Sequence, residues 1–211
     1  MQNDFTYREV SIAPFGMAKW IETRLIDHGM WVYNKHTSDV NEMDIDQNDT
    51  NIKETHQFTN TFFTQDQGPS HNLFGEIAQP LLWMLEKETG LVITQIIRIK
   101  ANLLTQAPNV TEHNYHIPHI DFGGDGCISM VYYVNDSDGD TRLFDKYCND
   151  GVDDLKMIHS NTPKQGNALL FQSNRFHSSS NPVSTEARCI INFVMEAEPS
   201  SLKRFLDRKR G

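Results

Sequence analysis

Cysteine is scarce in this sequence, and long apolar runs are missing. Only three cysteines occur in 211 residues. Cys127, Cys148 and Cys189 are odd in number, far apart and without CxxC spacing, which excludes a disulfide framework and fits a reducing compartment. No apolar run reaches the roughly 18 residues of a membrane-spanning helix, and Met1 to Val10 lacks the apolar core of a secretory leader. Positive charge is also in short supply. Lys and Arg number 19 against 28 Asp and Glu, a net charge of −9 with His neutral, so the molecule as a whole repels polyanions. A cytoplasmic protein with no duplex nucleic acid and no membrane as partner is expected; nothing here sets an oligomeric state.

What is present suffices for a core. With 38% hydrophobic and 22% charged residues, the expectation is one globular domain, burying roughly 70% of the surface its unfolded chain exposes. A metal would then serve function rather than folding. Two stretches of the first half carry helical periodicity: Phe15 to His28, through Met17, Ala18, Ile21 and Leu25 with Gly29 as C-cap, and Asn72 to Thr89. In the second, Leu73, Phe74, Ile77, Leu81, Met84 and Leu85 form one face closed by Gly90, and Pro80 must kink or restart it. Such stripes face a core. Between them Asn34 to Ser70 is polar, with acids at Asp39, Glu42, Asp44, Asp46 and Asp49 and short strand-like pieces at Trp31 to Tyr33 and Phe58 to Phe63. So long a stretch with little structure reads as a lid or a partly disordered segment.

From Leu91 the texture changes to short β-prone runs separated by turns: Val92 to Leu104, Cys127 to Asn135, Thr141 to Phe144, Leu155 to His159, Asn167 to Gln172 and Ala187 to Met195. Such a series argues for an antiparallel barrel or sandwich. Leu202 to Arg210 reads as a short helix ending in a solvated basic cluster. The expected organisation is helical support and a possible lid over 1–90, a β-barrel core over 91–196 and a C-terminal helix over 197–211.

The chemistry concentrates in the segment from His113 to Gly124. On a strand, residues i and i+2 project from one face, so His119 and Asp121 can share a cation, whereas His116 and His113 have Pro118 and Tyr115 at that offset. A second, distant histidine would complete the two-His, one-carboxylate triad of non-haem Fe(II) oxygenases. His159 and His177 are the candidates, and His177 is favoured because it directly follows the apolar strand Ala168 to Phe171. Arg188 lies in an almost wholly apolar strand and requires an anionic partner, for which a ligand carboxylate is a natural choice.

In that order, His-x-Asp, a distal His and an Arg about ten residues later resemble the Fe(II)- and 2-oxoglutarate-dependent oxygenase family, its prolyl 4-hydroxylase-like branch above all. The likeness runs over about Leu91 to Glu196, through Gly124 to Asn135, Gly139-Asp-Thr141 and Thr162 to Phe171. It implies a double-stranded β-helix (jelly-roll, cupin-like barrel), mainly β with flanking helices. It also implies that His119, Asp121 and His177 form the catalytic Fe(II) centre, that Arg188 pairs with the far carboxylate of 2-oxoglutarate, and that Tyr133 supports that carboxylate. O2 is the further cosubstrate and ascorbate an auxiliary reductant. The implied reaction releases succinate and CO2 while a substrate C–H bond is hydroxylated, with a prolyl-type residue in a peptide or protein as substrate. A small-molecule hydroxylase on the same site and a non-catalytic metal-binding sensor are the alternatives.

Departures from the family's pattern bear on substrate. The strand from Arg188 to Val194 lacks the branch's usual polar and aromatic lining, with Asn192 the candidate pocket residue. Val194 stands where nucleic-acid demethylases of the superfamily carry a second Arg, and Asp121 is retained where halogenating members lose it. His113, His116 and His159 read as ordinary exposed or hydrogen-bonded histidines, with an entrance position open to His116. Asp136, Asp138 and Asp140 open like a calcium loop, but Thr141 and Tyr147 replace the Gly and Glu it needs. Asn135 to Asp154 is therefore expected to be a solvated acidic loop that, at the mouth, would favour neutral or cationic substrates. Cys189 should face the core opposite Arg188.

Overall fold

The computed structural model describes residues 7–37, 50–124 and 126–207. Helical periodicity in the first half produces α1 (Phe15–Glu22), which runs on through a π-helical turn at Thr23–Asp27, and α2 (Gln79–Thr89), which is preceded by another at Phe74–Ala78. The second π turn directly precedes the proline: Pro80 is the second residue of α2, and the helical backbone runs on through it without a break. Gly90 closes α2 in the left-handed conformation, φ 72°, its N–H donating to Glu86 O at 2.8 Å. Gly29 plays no such role, since its φ is not positive. There a Cβ would meet Leu25 O at 2.2 Å, so glycine permits a close approach rather than a left-handed cap. The C-terminal helix α3 covers Pro199–Asp207, and the basic cluster Arg208 to Arg210 lies outside the described residues.

The strands are β1 (Arg8–Ser11), β2 (Val32–Asn34), β3 (Gln57–Thr64), β4 (Gly68–Pro69), β5 (Ile93–Thr105), β6 (Cys127–Tyr133), β7 (Thr141–Tyr147), β8 (Met157–Asn161), β9 (Asn167–Gln172), β10 (Arg175–Ser179) and β11 (Ala187–Ala197). An eight-stranded sheet runs β1-β9-β6-β11-β5-β3-β2, with β4 on β3, and a three-stranded sheet runs β10-β7-β8. Every pairing between these strands is antiparallel. Leu143 of the small sheet packs with Val131, Tyr133, Leu169, Phe171 and Ile190 of the large one. The two sheets thus close on each other as the expected double-stranded β-helix.

Strand alternation decides what faces where. On β11, Cys189, Ile191, Phe193 and Met195 turn outward to meet Ile21, Leu25, Ile77, Leu81 and Leu85 of the helices, in one buried apolar cluster. Each large side chain buried there contributes about 1.5–3 kcal/mol. The alternate residues Arg188, Ile190 and Asn192 turn inward. The same holds on β5, where Ile99 and Ala101 join the helix-side cluster while Arg98, Lys100, Asn102 and Leu104 line the interior.

The acidic stretch Asn135 to Asp154 is not the solvated loop expected. β7 and a short 3-10 turn at Cys148–Asp150 lie inside it. Asp138 clasps the turn before β11, accepting hydrogen bonds from the Val183, Ser184 and Thr185 N–H groups and from the Ser184 and Thr185 hydroxyls at 2.6–3.1 Å. Asp140 accepts from the Ser160 and Thr162 hydroxyls at 2.6 and 2.9 Å, and Asp136 from the Gln165 N–H at 2.8 Å. These carboxylates satisfy turns, and none lines the interior cavity described below.

Candidate metal centre and active-site cavity

His119 and Asp121 converge, although not by the strand alternation that their spacing suggested. The segment between β5 and β6 forms no regular strand there. It is held instead by an isolated bridge, in which the His119 and His177 N–H groups each donate to the other's carbonyl at 2.9 Å. The N–H groups of Asp121 and Phe122 then both donate to Ser173 O, at 3.0 and 3.1 Å. His177 lies on β10, beyond the turn that follows β9, where a register irregularity between Arg175 and His177 re-aims its side chain. The bridge therefore brings both imidazoles side by side, with ring centroids 4.5 Å apart.

One ligand atom from each of His119, Asp121 and His177 can be chosen so that all lie within 4.8 Å of one another. The imidazoles are fixed in a metal-ready tautomer. His119 Nδ1 is 3.1 Å from Ile117 O and His177 Nδ1 is 3.1 Å from Arg175 O. A carbonyl can only accept, so each Nδ1 carries a proton, which leaves each Nε2 as the metal-facing donor atom. His177 Nε2 lies 3.6 Å from Asp121 Oδ2. Burial, reinforced by the neighbouring His177, lowers the His119 pKa to about 3, so this ring is neutral at neutral pH. Asp121 is held well below the usual carboxylate range: His177, Arg98 and His119 outweigh the opposing desolvation. Two imidazoles and one ionised carboxylate, converging beside a cavity, suit a divalent transition metal.

Asp121 is also gripped from behind. Arg98 Nη2 donates to its Oδ1 at 2.7 Å, the Ser129 hydroxyl to its Oδ2 at 2.6 Å, and Asn192 Nδ2 contacts both oxygens at 3.1 and 3.0 Å. Of these partners the sequence singled out only Asn192. Arg98 and its neighbours were nevertheless readable, because polar residues at 98, 100 and 102 of a β run must share one face, and the intervening Ile99 and Ala101 belong to a core.

The centre opens on a cavity of about 950 Å³ bounded by β5, β11, β10 and β3 and by residues 34–37. Arg188 lines it, buried to 3% exposure, with Nε donating to Gly139 O at 2.7 Å and Nη2 to Thr141 Oγ1 at 2.8 Å. Neutral acceptors thus orient the fork, and the described residues offer it no ion-pair partner. Burial lowers its pKa, so an anion at this position would restore what desolvation costs. Gly139 allows the arrangement, since a Cβ there would lie 2.6 Å from Ser180 O and 2.9 Å from Arg188 Cδ. Tyr133 does not line the cavity. It is fully buried behind Thr141, its hydroxyl 3.1 Å from Thr141 Oγ1, and so reaches Arg188 through that residue.

The remaining histidines stay outside the cluster. His116 is buried, bonded to the Thr55 and Ser179 hydroxyls and to Asn181 Oδ1 at 2.8–3.1 Å, and it does not line the entrance. His159 stacks on Tyr7 with centroids 3.8 Å apart, and His113 is exposed beside Glu112. Within the described part of the polar stretch Asn34 to Ser70, β3 covers the strand-like piece expected at Phe58 to Phe63, and Asn34 to Thr37, Gln57 and Thr59 wall the cavity. Asp39, Glu42, Asp44, Asp46 and Asp49 lie outside the described residues. Among the described residues no helix is long and apolar enough to cross a membrane.

Known proteins resemble the chain at two levels. No curated protein matches its sequence. Among solved structures, the non-heme alpha ketoglutarate dependent epimerase SnoN from nogalamycin biosynthesis shares 13% identity at a TM-score of 0.59, over 97% of this chain and 85% of that one. It has also been solved with Fe3+, alpha ketoglutarate and nogalamycin RO. A Pseudomonas putida prolyl-4-hydroxylase shares 14% identity at a TM-score of 0.51, covering 90% of this chain and 92% of that one. A Trichoplax adhaerens prolyl hydroxylase in complex with a hypoxia inducible factor peptide fragment shares 14% at 0.53, covering 98% and 89%. These likenesses concern the fold. The sequence match is narrower, because the 2OG-Fe(II) oxygenase superfamily model matches residues 105–196, the stretch that runs from the end of β5 through both histidines and Arg188. Over that stretch, 92 of the 211 residues, the chain is similar to the 2OG-Fe(II) oxygenase superfamily, whose members use Fe(II), 2-oxoglutarate and O2.

Proposed function

We propose that this protein is a 2-oxoglutarate-dependent oxygenase that hydroxylates a substrate C–H bond at a centre formed by His119, Asp121 and His177. The observation that supports the reading best is the donor geometry: both Nδ1 atoms are tied to carbonyls, His177 Nε2 lies 3.6 Å from Asp121 Oδ2, and one ligand atom of each of the three residues lies within 4.8 Å of the others. These residues would hold Fe(II). When bound, the metal and 2-oxoglutarate supply the oxidising power: 2-oxoglutarate, O2 and substrate C–H become succinate, CO2 and substrate C–OH.

The chain's own part is to hold and exclude. Arg98, Ser129 and Asn192 fix the Asp121 carboxylate so that it need not reorganise on metal binding. Arg188 would take the far carboxylate of 2-oxoglutarate, its fork set by Gly139 and Thr141 with Tyr133 behind. Val131, Leu104 and Ile190 line the same cavity and keep that end apolar. Residues 91–196 would carry this machinery, with 1–90 and α3 as support, and three free cysteines agree with a cytoplasmic setting.

Two substrate readings stand. A prolyl-type residue in a peptide is supported by the motif order from Leu91 to Glu196 and by two fold relatives that are prolyl hydroxylases. A small polar molecule is supported by the lining, which among the described residues holds amides, hydroxyls and cations but no Phe, Tyr or Trp. Succinate formation from 2-oxoglutarate in air, without added substrate, tests the enzyme: its absence in iron-loaded protein would leave only a non-catalytic metal-binding barrel. A peptide library against a metabolite panel, read by stimulated succinate release, decides between the substrates.

A further inference from the structure

We propose that the substrate carries a carboxylate or phosphate group, received by Lys100 and Arg98 on the inner face of β5. The inference rests on the oxygenase reading and names the substrate class of that same site. Asp136, Asp138 and Asp140, expected at the mouth, are spent on turns, and among the described residues the one carboxylate lining the cavity is Asp121. Against that single negative group stand Arg98, Lys100 and Arg188, with Lys35 at the rim. A chain of net charge −9 has thus set four of its 19 Lys and Arg residues in one concave place, where low-dielectric walls focus the field on an incoming anion.

The cations form two separate stations. In the β5–β11 register Lys100 lies opposite Asn192 and Leu104 opposite Arg188. Four strand residues separate the stations, roughly 13 Å along the sheet. Cosubstrate held at Arg188 therefore leaves the Lys100 end to something else. That end also encloses polar atoms, each with almost no solvent-exposed surface, that the described residues do not satisfy. Arg98 grips Asp121 with Nη2 while its buried Nε has no acceptor, and the Asn102 and Asn192 side-chain oxygens have no donor. Asn102 is held in this orientation by donating to Gln57 Oε1 at 2.6 Å, and Gln57 in turn donates to His36 O and Thr37 O. The wall thus sets two cations on the cavity, Arg98 anchored by Asp121 and Lys100 on the same strand face, and an anionic group is what they can receive.

The test uses protein loaded anaerobically with Fe(II) and 2-oxoglutarate, titrated calorimetrically with acetate, inorganic phosphate and neutral acetamide. Acetate or phosphate is expected to bind and acetamide not to. Lys100→Met should weaken that binding at least ten-fold with 2-oxoglutarate affinity within two-fold, whereas the exposed Lys203→Met changes neither. The tighter of the two anions identifies the group. The proposal is overturned if neither anion binds, if Lys100→Met binds it as well as the parent, or if Lys100→Met instead loses 2-oxoglutarate, which would make the lysine part of the cosubstrate site. Failure of the underlying oxygenase reading shows earlier and separately, as a loaded complex that never forms.

Discussion

The two faces of β5 and β11 were made from the same strands and do opposite work. Outward, Ile99, Ala101, Cys189, Ile191 and Phe193 lock against α1 and α2 in the main apolar core. Inward, Arg98, Lys100, Arg188 and Asn192 surround a cavity, and the apolar cluster on that side is small. Placing the core outside the barrel, under the helices, frees the barrel interior for polar groups that would otherwise destabilise it. Stability and chemistry should therefore separate by strand face, and substitutions on each face can break or sharpen that division.

The largest effect is expected at the centre. His119→Ala should reduce Fe(II) affinity at least a hundred-fold, by metal titration, while the melting temperature moves by only a few degrees, because the ring bears on the cavity and not on the helix-side core. Unfolding of this variant would show that the interior supports the fold after all. On the other face Leu81→Ala should cost about 2–5 kcal/mol in denaturant unfolding and leave 2-oxoglutarate affinity of the folded protein unchanged. Arg188→Ala should raise the KM for 2-oxoglutarate at least ten-fold and spare iron affinity; collapse of metal binding would show its role misassigned.

The smallest effect concerns the Asp138 clasp. Its hydrogen bonds from residues 183–185 depress the carboxyl pKa in the folded state. The stabilisation is therefore complete above the ordinary carboxylate value of about 3.9 and is lost as the pH falls through that value and below. Asp138→Asn should cost about 1 kcal/mol at pH 7, as expected for a partly exposed but multiply bonded carboxylate, and markedly less at pH 2, where part of the stabilisation is already lost. Equal losses at both pH values would mean that shape rather than charge holds the turn.

Much of this was legible beforehand, where pattern and chemistry coincide. The helices read from Met17 to Leu25 and Leu73 to Leu85 do bury those stripes, and β9 matches its expected bounds of Asn167 to Gln172. His119, Asp121 and His177 meet as their order implied, but the reason differs: a single backbone bridge and Ser173 O position them, and neither leaves a periodic trace. The acids at 136, 138 and 140 misled because composition records charge but not hydrogen-bond partners. Arg98 and Lys100 were passed over because β-prone texture was read along β5 without asking which face each residue took. Tyr133 shows the converse limit: its burial follows from its strand, but its separation from the cavity by Thr141 is set by β7, which is remote in sequence.

The central claim is that the His119, Asp121 and His177 donors and the Arg188 station form one working oxygenase site. The most direct measurement is an anaerobic visible spectrum of the protein with Fe(II), before and after 2-oxoglutarate. The account predicts a new charge-transfer band that disappears on admitting air, with succinate formed in step. Stoichiometric iron binding without such a band would contradict it, leaving the barrel as a metal-binding module whose Arg188 serves some other anion.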